Sequence, residues 1–200
     1  MAEKIYDLIK KRLSSFEKGE IFFTTDFIDI ADLPTIRKCL GRQVEDGNIR
    51  RILAGVYERP IYSKLLKEYL PTDLEKVAYA FARKFHWSIS PSGDVALNKL
   101  GLSTQVPAVW SYVSDGPYRN FKIADNTLIF KHKTNREISF MSGISIMVIE
   151  ALKTLGKSNI DEKVIVTLKK RLSEKNKNIL INEATNAPAW IFNFIRRVCE

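Results

Sequence analysis

Hydrophobic and polar positions in the first thirty residues predict a helix, a strand and a second helix. Apolar side chains recur at three- and four-residue spacing over residues 5–16, which is typical of one face of a helix, and Gly19 then ends it. Residues 21–23 are aromatic or β-branched and predict a short strand. Residues 24–30 predict a short second helix, capped by one of its first two residues, both threonines.

A third amphipathic helix is predicted from Leu33 to about Asp46. Pro34 fits its first turn, where a missing N–H costs nothing, Asp32 is placed to cap it, and Gly47 stops it. Its apolar side chains form one stripe, so the opposite face is polar and mostly basic. The polar face consists of Thr35, Arg37, Lys38, Gly41, Arg42 and Glu45.

Two β-prone runs, residues 49–53 and 56–58, flank the turn Ala54-Gly55 and predict a hairpin. This element order is that of a winged helix-turn-helix, in which one helix enters the major groove of DNA and the hairpin reaches neighbouring phosphates. Basic side chains suit both tasks, since a guanidinium can bind guanine edges or clamp a phosphate. The predicted DNA contacts are Thr35, Arg37, Lys38 and Arg42 on the third helix and Arg50 and Arg51 on the hairpin.

The net charge of the chain is +9, from 32 basic and 23 acidic side chains. Such an excess raises the local concentration of polyanions. Residues 1–60 nevertheless hold 11 basic and 10 acidic side chains, so a DNA-binding face there has to come from local clustering. Two alternatives stay open: the cluster is a solvated helix face, or the winged helix binds a protein partner instead of DNA.

The rest of the chain predicts a second domain. A proline-bounded connection over residues 59–71 places a boundary near residue 60, between a winged helix over 1–60 and a mixed α+β domain over 61–200. The turn Pro91-Ser92-Gly93 lies early in this domain. A strand is predicted at 87–90, and a small antiparallel sheet is predicted from strands at 108–113, 120–123, 127–131 and 138–141. The predicted helices are at 74–86, 95–100, 143–155, 161–172, 179–185 and 188–198.

Several segments resemble one protein family. They read ALNKLGLSTQVPA at residues 96–108, SDGPYR at 114–119 and IFKH at 129–132, and the hairpin segment GNIRRILAGVYERP at 47–60 continues the match. The chain resembles the AbiEi-like antitoxins of bacterial type IV toxin–antitoxin (abortive infection) systems, specifically a short subgroup. The resemblance covers most of residues 20–160, and the last forty residues match only loosely.

This resemblance implies a transcriptional repressor that binds the operator of its own operon and is not an enzyme. It also implies that the C-terminal domain counters a partner toxin of the nucleotidyltransferase class, functionally and without a necessary physical contact. The DNA-contact role of the family carries over to the helix and hairpin positions named above. We expect a homodimer or paired binding at an inverted repeat, because one winged helix seldom gives enough contact for tight specific binding.

Common sequence signatures of enzymes and cofactor sites are absent. There is no phosphate-binding glycine loop and no nucleophile elbow. His86 and His132 have no cysteine or carboxylate at metal-ligand spacing, so we expect neither a metal nor a cofactor. The alternative from the enzyme class is a nuclease-like magnesium site, made of Asp94, Glu137 and either Lys99 or Lys131.

Apolar runs in this sequence are too short to cross a bilayer, and residues 1–12 alternate apolar and charged positions, unlike a signal peptide. Cys39 and Cys199 each lie among helix-like apolar neighbours, which suits buried thiols in a reducing compartment. We therefore expect a cytoplasmic protein.

The polar tripeptide Ser103-Thr104-Gln105 lies within the segment that carries the resemblance. Leu102 and Val106 on either side can pin this loop to a core while its polar groups satisfy the local backbone. An exposed loop with a functional role is the equal alternative.

Overall fold

A computed structural model describes residues 2–138 and 140–200 of the chain. These residues form two compact units, which meet in the sequence between Ala80 and Phe81. Both units combine helices with small sheets, so the mixed α+β class is confirmed. The predicted boundary near residue 60 lies within the first unit.

The first unit opens with two helices and three strands, close to the predicted order. They are α1 (Ala2–Ser15), β1 (Ile21–Phe23), α2 (Leu33–Glu45), β2 (Arg50–Leu53) and β3 (Val56–Glu58). Helix α1 ends before the predicted Gly19. The hydroxyls of Ser14 and Ser15 donate to the carbonyls of Lys11 and Arg12, each at 2.7 Å, and such local bonds compete with continuation of the helix.

The predicted second helix is a single 3-10 turn, Thr24–Phe27. Neither threonine caps it. Phe23 is the capping residue, and its N–H donates to the Asp26 carboxylate at 2.8 Å. The aspartate, three residues into the turn, therefore supplies the cap that the sequence assigned to a threonine hydroxyl.

The core of the first unit is aromatic and lies between α1, α2 and the three-stranded sheet. The sheet is antiparallel with β3 in the centre, and all three residues of β3 are buried. Phe22 stacks on Tyr57 with ring centroids 5.8 Å apart, and Phe27 meets Phe22 edge to face. The buried residues are Ile9, Leu13, Phe22, Phe27, Ile36, Cys39, Leu40, Ile49 and Tyr57.

A second hairpin follows β3, where the sequence predicted only a connection. It pairs β4 (Tyr62–Ser63) with β5 (Glu68–Tyr69), and the rings of Tyr62 and Tyr69 lie 5.3 Å apart across it. Strands of two residues are too short to give an alternating pattern, which explains why the sequence did not indicate them.

The second unit contains a four-stranded sheet. Helix α3 (Leu74–Phe85) precedes this sheet in the sequence, as predicted. The elements that follow along the chain are β6 (Ile89–Ser92), helix α4 (Gly93–Lys99), β7 (Val109–Ser114), β8 (Arg119–Ile123) and β9 (Asn126–His132). The strand order is β6-β7-β9-β8, and β7 runs parallel to β9 while the other pairs are antiparallel. The sheet is therefore mixed, whereas the sequence predicted an antiparallel sheet. Pro91 lies in β6 and not in a turn, which the edge position of that strand allows.

Five helices complete the described part of this unit: α5 (Asn135–Ile138), α6 (Gly143–Leu155), α7 (Glu162–Arg171), α8 (Glu174–Glu183) and α9 (Ala189–Cys199). The predicted strand over 138–141 is wrong at Ile138, which ends α5; Ser139 lies outside the described residues. The Glu137 carboxylate accepts hydrogen bonds from the backbone and hydroxyl of Thr134, and these bonds favour the helical turn.

Helix α8 begins at Glu174, earlier than the predicted residue 179, because the hydroxyl of Ser173 accepts the N–H of Asn176 and caps it there. The core of the second unit is built mainly by α4 and α6–α9, with Val148, Leu168 and Ile195 fully buried. Among the described residues, no helix is long and apolar enough to cross a membrane. Both cysteines are free thiols; Cys39 is buried, but Cys199 is only half-buried.

Candidate nucleic-acid interface

Helix α2 presents three cations on its exposed face. Ile36 and Leu40 on the opposite face are fully buried and fix the orientation of the helix. The side chains of Arg37, Lys38 and Arg42 are exposed. Within the described chain, none of the three makes an ion pair or a side-chain hydrogen bond. Their charge is therefore available to a partner.

The tip of the β2–β3 hairpin lies beside the 3-10 turn. Gly55 takes a positive φ of 75°, which a tight hairpin turn requires, and its carbonyl accepts the backbone N–H of Thr24 at 3.0 Å. Arg51 on β2 is exposed and has no ion-pair partner among the described residues. The structure thus supplies a fourth cation on the element that follows α2.

Arg50 has a different environment from its neighbour Arg51. It lies directly across from Glu58 in the strand register, and its guanidinium is 3.4 Å from the Glu58 carboxylate. The same nitrogen donates to the carbonyl of Leu70 at 3.0 Å and lies 3.3 Å from the hydroxyl of Thr72. Because the Glu58 side chain is only 4% exposed, Arg50 neutralises a buried carboxylate.

The start of α2 contributes less polar surface than the sequence predicted. Thr35 is half-buried, so it lies at the border of the exposed face. Asp32 occupies the capping position, as predicted, but its side chain makes no capping hydrogen bond. Leu33 and Pro34 are both exposed there.

A polar network holds the C-terminal end of α2 to α1. The amide of Gln43, which is 2% exposed, donates to the hydroxyl of Tyr6 at 2.6 Å, and that hydroxyl donates to Asp46 at 3.1 Å. Asn48 donates to the other end of the Gln43 side chain at 3.1 Å. Burial and the Asp46 carboxylate raise the pKa of Tyr6, so the phenol stays protonated and can donate.

The segment that leads into α2 is also fixed to α1. Arg12 makes a two-pronged contact with the Asp29 carboxylate at 2.6 and 2.7 Å, and it donates to the carbonyl of Asp26 at 2.9 Å. Its guanidinium lies 5.8 Å from the centre of the Phe27 ring. These contacts and the Gln43 network fix α2 at both ends, so the backbone that carries the cations is held in place.

The Arg12–Asp29 pair gives a titration test. The hydrogen bonds from Arg12 lower the pKa of Asp29 below its ordinary 3.8, so the pair contributes stability above that pH and loses it as the pH falls through the lowered pKa. Replacing Arg12 by alanine is expected to return the pKa of Asp29 close to 3.8, as followed by NMR of the carboxyl carbon. Arg12→Lys, which keeps the charge but not the two-pronged geometry, should give an intermediate value. An unchanged pKa in Arg12→Ala would show that the pair does not form in solution.

The two carboxylates of the alternative nuclease site, Asp94 and Glu137, lie on different helices. Glu137 accepts from Thr134 and lies 3.6 Å from Lys133. Burial acts to raise the pKa of Glu137, but the Thr134 hydrogen bonds and Lys133 outweigh it and lower the pKa. Asp94 lies in α4. No group of three or more His, Cys, Asp or Glu side chains that could hold a metal ion occurs among residues 2–138 and 140–200.

The loop that carries the polar tripeptide at 103–105 is bonded to α4, but Val106, which was expected to pin it to a core, is 82% exposed. The Asn98 amide donates to the carbonyl of Gln105 at 3.0 Å, and the backbone of Ser103 bonds back to Leu97. Gly101, with a positive φ of 71°, ends α4. The side chains of Ser103 to Gln105 are half-buried or exposed on a loop that the backbone of α4 holds in place.

The second unit contains a cavity of about 370 Å³ with an apolar floor that includes Val113, Ile138 and Ile146. Charged side chains at its edge pair with one another: Glu150 lies 2.8 Å from Lys153 and 3.7 Å from Lys133. These charges therefore neutralise each other locally, whereas the cations on the exposed face of α2 have no ion-pair partner among the described residues.

The sequence belongs to a family of unknown function, DUF6088, whose family model matches residues 8–180. The match spans the cationic helix, the hairpin and most of the second unit. A search among curated proteins finds no match.

Proposed function

We propose that the first unit is a winged helix that binds double-stranded DNA, and that the protein regulates transcription. The observation that carries this proposal is the exposed face of α2, where Arg37, Lys38 and Arg42 have no partner within the described chain. The element order and the strand order β1-β3-β2 support it, since a winged helix places its hairpin directly after its groove-binding helix.

The contact surface follows from which cations are free. Arg37, Lys38 and Arg42 reach the base edges and phosphates of the major groove, while Arg51 and the hairpin tip reach the adjoining backbone. Arg50 is excluded, because its guanidinium is used by Glu58 and Leu70. Thr35 contributes at most the edge of the surface, since it is half-buried.

The small number of free cations on this surface favours the binding of two chains to one DNA site. Four free cations on one helix and one hairpin supply few phosphate contacts, and counterion release makes affinity depend on their number. Two copies on an inverted repeat double that number and add the requirement for correct spacing. We therefore expect two chains on each operator site.

The test is selection from a random duplex library with the purified full-length protein. Sequencing of the bound fraction is expected to show an inverted repeat. The logarithm of the affinity for this repeat should fall linearly with the logarithm of the salt concentration. Absence of binding at low salt sinks the proposal. In that case the exposed cations of α2 form either a solvated helix face or a protein-interaction surface, and capture of a protein partner that is lost on replacing these cations would identify the second.

An antitoxin role is a second proposal, and it rests on the resemblance of residues 96–108 and 114–119. Much of that first segment has a structural role, since Leu97 and Leu100 are buried and Asn98 holds the loop. The resemblance therefore supports a similar second unit, and the toxin has to be sought genetically. If the neighbouring gene encodes a nucleotidyltransferase, its expression should stop growth, and this protein should restore it. A variant that no longer binds DNA should still restore growth if the second unit is responsible.

A further inference from the structure

Gly41 lies in the interior of α2, on its exposed face. It is half-buried, and Arg37, Lys38 and Arg42 lie four, three and one residues from it, while the exposed Glu45 lies four residues after it. Glycine is unfavourable in a helix interior relative to alanine, because it loses more backbone freedom on folding. A glycine at this position therefore calls for a physical reason.

Nothing in the first unit supplies that reason. The φ angle of Gly41 is not positive, unlike those of Gly47 and Gly55, so alanine fits its backbone. A Cβ atom built on Gly41 has no neighbour within 4 Å, so packing does not exclude a side chain either. What the glycine leaves is a bare patch of helix backbone between three long cationic side chains.

We propose that Gly41 is a close-approach position for DNA, where the floor of the major groove contacts the backbone of α2. This inference rests on the proposed function and deepens it, because it assigns base edges and not only phosphates as part of the contact. Without a Cβ atom, the helix axis can lie deeper in the groove while Arg37 and Arg42 extend to either side. A methyl group at 41 separates the helix from the base edges and shifts all three cations outward.

The experiment compares Gly41→Ala with Gly143→Ala in the full-length protein. Gly143 is the control outside the first unit: it is exposed, is the first residue of helix α6, has no positive φ, and its Cβ would also meet nothing within 4 Å. The probes are the duplex enriched by the wild-type protein and a scrambled duplex of the same composition. Gly41→Ala should raise the melting temperature by about 2–4 °C and weaken binding to the enriched duplex by at least about tenfold. Its affinity for the scrambled duplex should change less than about twofold, because phosphate contacts remain.

Each other outcome has a separate meaning. If Gly41→Ala binds the enriched duplex as the wild type does, the close approach is absent and the inference fails while the proposed function stands. An equal loss on both duplexes assigns the contact to phosphates and overturns the base-edge assignment. If the wild type enriches no duplex, the proposed function fails and the inference with it. Gly143→Ala should bind both duplexes like the wild type, and a loss there would overturn the inference, because a glycine-to-alanine change outside α2 would then weaken binding as well.

Discussion

Replacing Arg37, Lys38 and Arg42 together by alanine is expected to weaken DNA binding by at least about 100-fold, since each lost base or phosphate contact costs on the order of 1 kcal/mol or more. Fold stability should change little, because all three side chains are exposed and make no internal ion pair among the described residues. If all three contact phosphates, the slope of log affinity against log salt should fall by up to about 2.7 in magnitude. Fluorescence anisotropy over a salt series, with thermal unfolding in parallel, measures both effects.

A matched control separates position from bulk charge. The run Lys169, Lys170 and Arg171 at the end of α7 is exposed, and its replacement by alanine removes three positive charges from the second unit. Binding by this control should stay within a few-fold of the wild type. Equal losses in the two variants would contradict a contact surface on α2 and assign the binding to net charge alone.

Arg50 and Arg51 are expected to give opposite results although they are adjacent and chemically identical. Arg50→Ala leaves the buried Glu58 carboxylate with the Thr72 hydroxyl as its remaining partner, at 2.8 Å. Removal of one member of a buried ion pair costs about 3–5 kcal/mol, and the 32% exposure of the Arg50 side chain places the expected loss toward the lower end. Chemical denaturation measures it as a lower unfolding midpoint.

Arg51→Ala should leave stability within about 0.5 kcal/mol of the wild type and reduce the salt slope by about 0.9, as expected for one phosphate contact. The double variant Arg50→Ala with Glu58→Gln should recover part of the lost stability, because it removes the uncompensated charge. If Arg50→Ala is as stable as the wild type and binds DNA weakly, then Arg50 is a contact residue and the buried pair does not form in solution.

Short-range patterns in the sequence were sufficient for most elements. The stripe of apolar residues in α2 repeats with helical spacing, and Pro34 and Gly47 mark its ends, so its bounds were predicted to within one residue and the exposure of Arg37, Lys38 and Arg42 was predicted correctly. The β2–β3 hairpin followed from two β-prone runs around a glycine turn. Predictions failed where local signals were weak or ambiguous: the strand predicted over 138–141 begins on a residue of the helical turn α5, and β4 and β5 are too short to show a pattern.

The candidate interface was only partly predictable for the same reason. Alternation along a strand indicates that Arg50 and Arg51 point to opposite faces of β2. It does not indicate which of the two arginines is paired, because the partners of Arg50 are Glu58, Leu70 and Thr72, which are separated from it in the sequence. The Arg12–Asp29 contact and the placement of β9 between β7 and β8 are likewise pairings between separated segments.

The sequence by itself determined most of the helices, the first hairpin and the set of cations from which a DNA-binding surface can be chosen. Helical and strand periodicity act over a few residues, so they can be read along the chain. Only the tertiary structure decided which cations are free, since a charge is available to DNA only where no distant carboxylate or carbonyl uses it. Of the six positions proposed for DNA contact, it leaves Arg37, Lys38, Arg42 and Arg51 as exposed cations without an ion-pair partner among the described residues, while Arg50 is paired with Glu58 and Thr35 is half-buried.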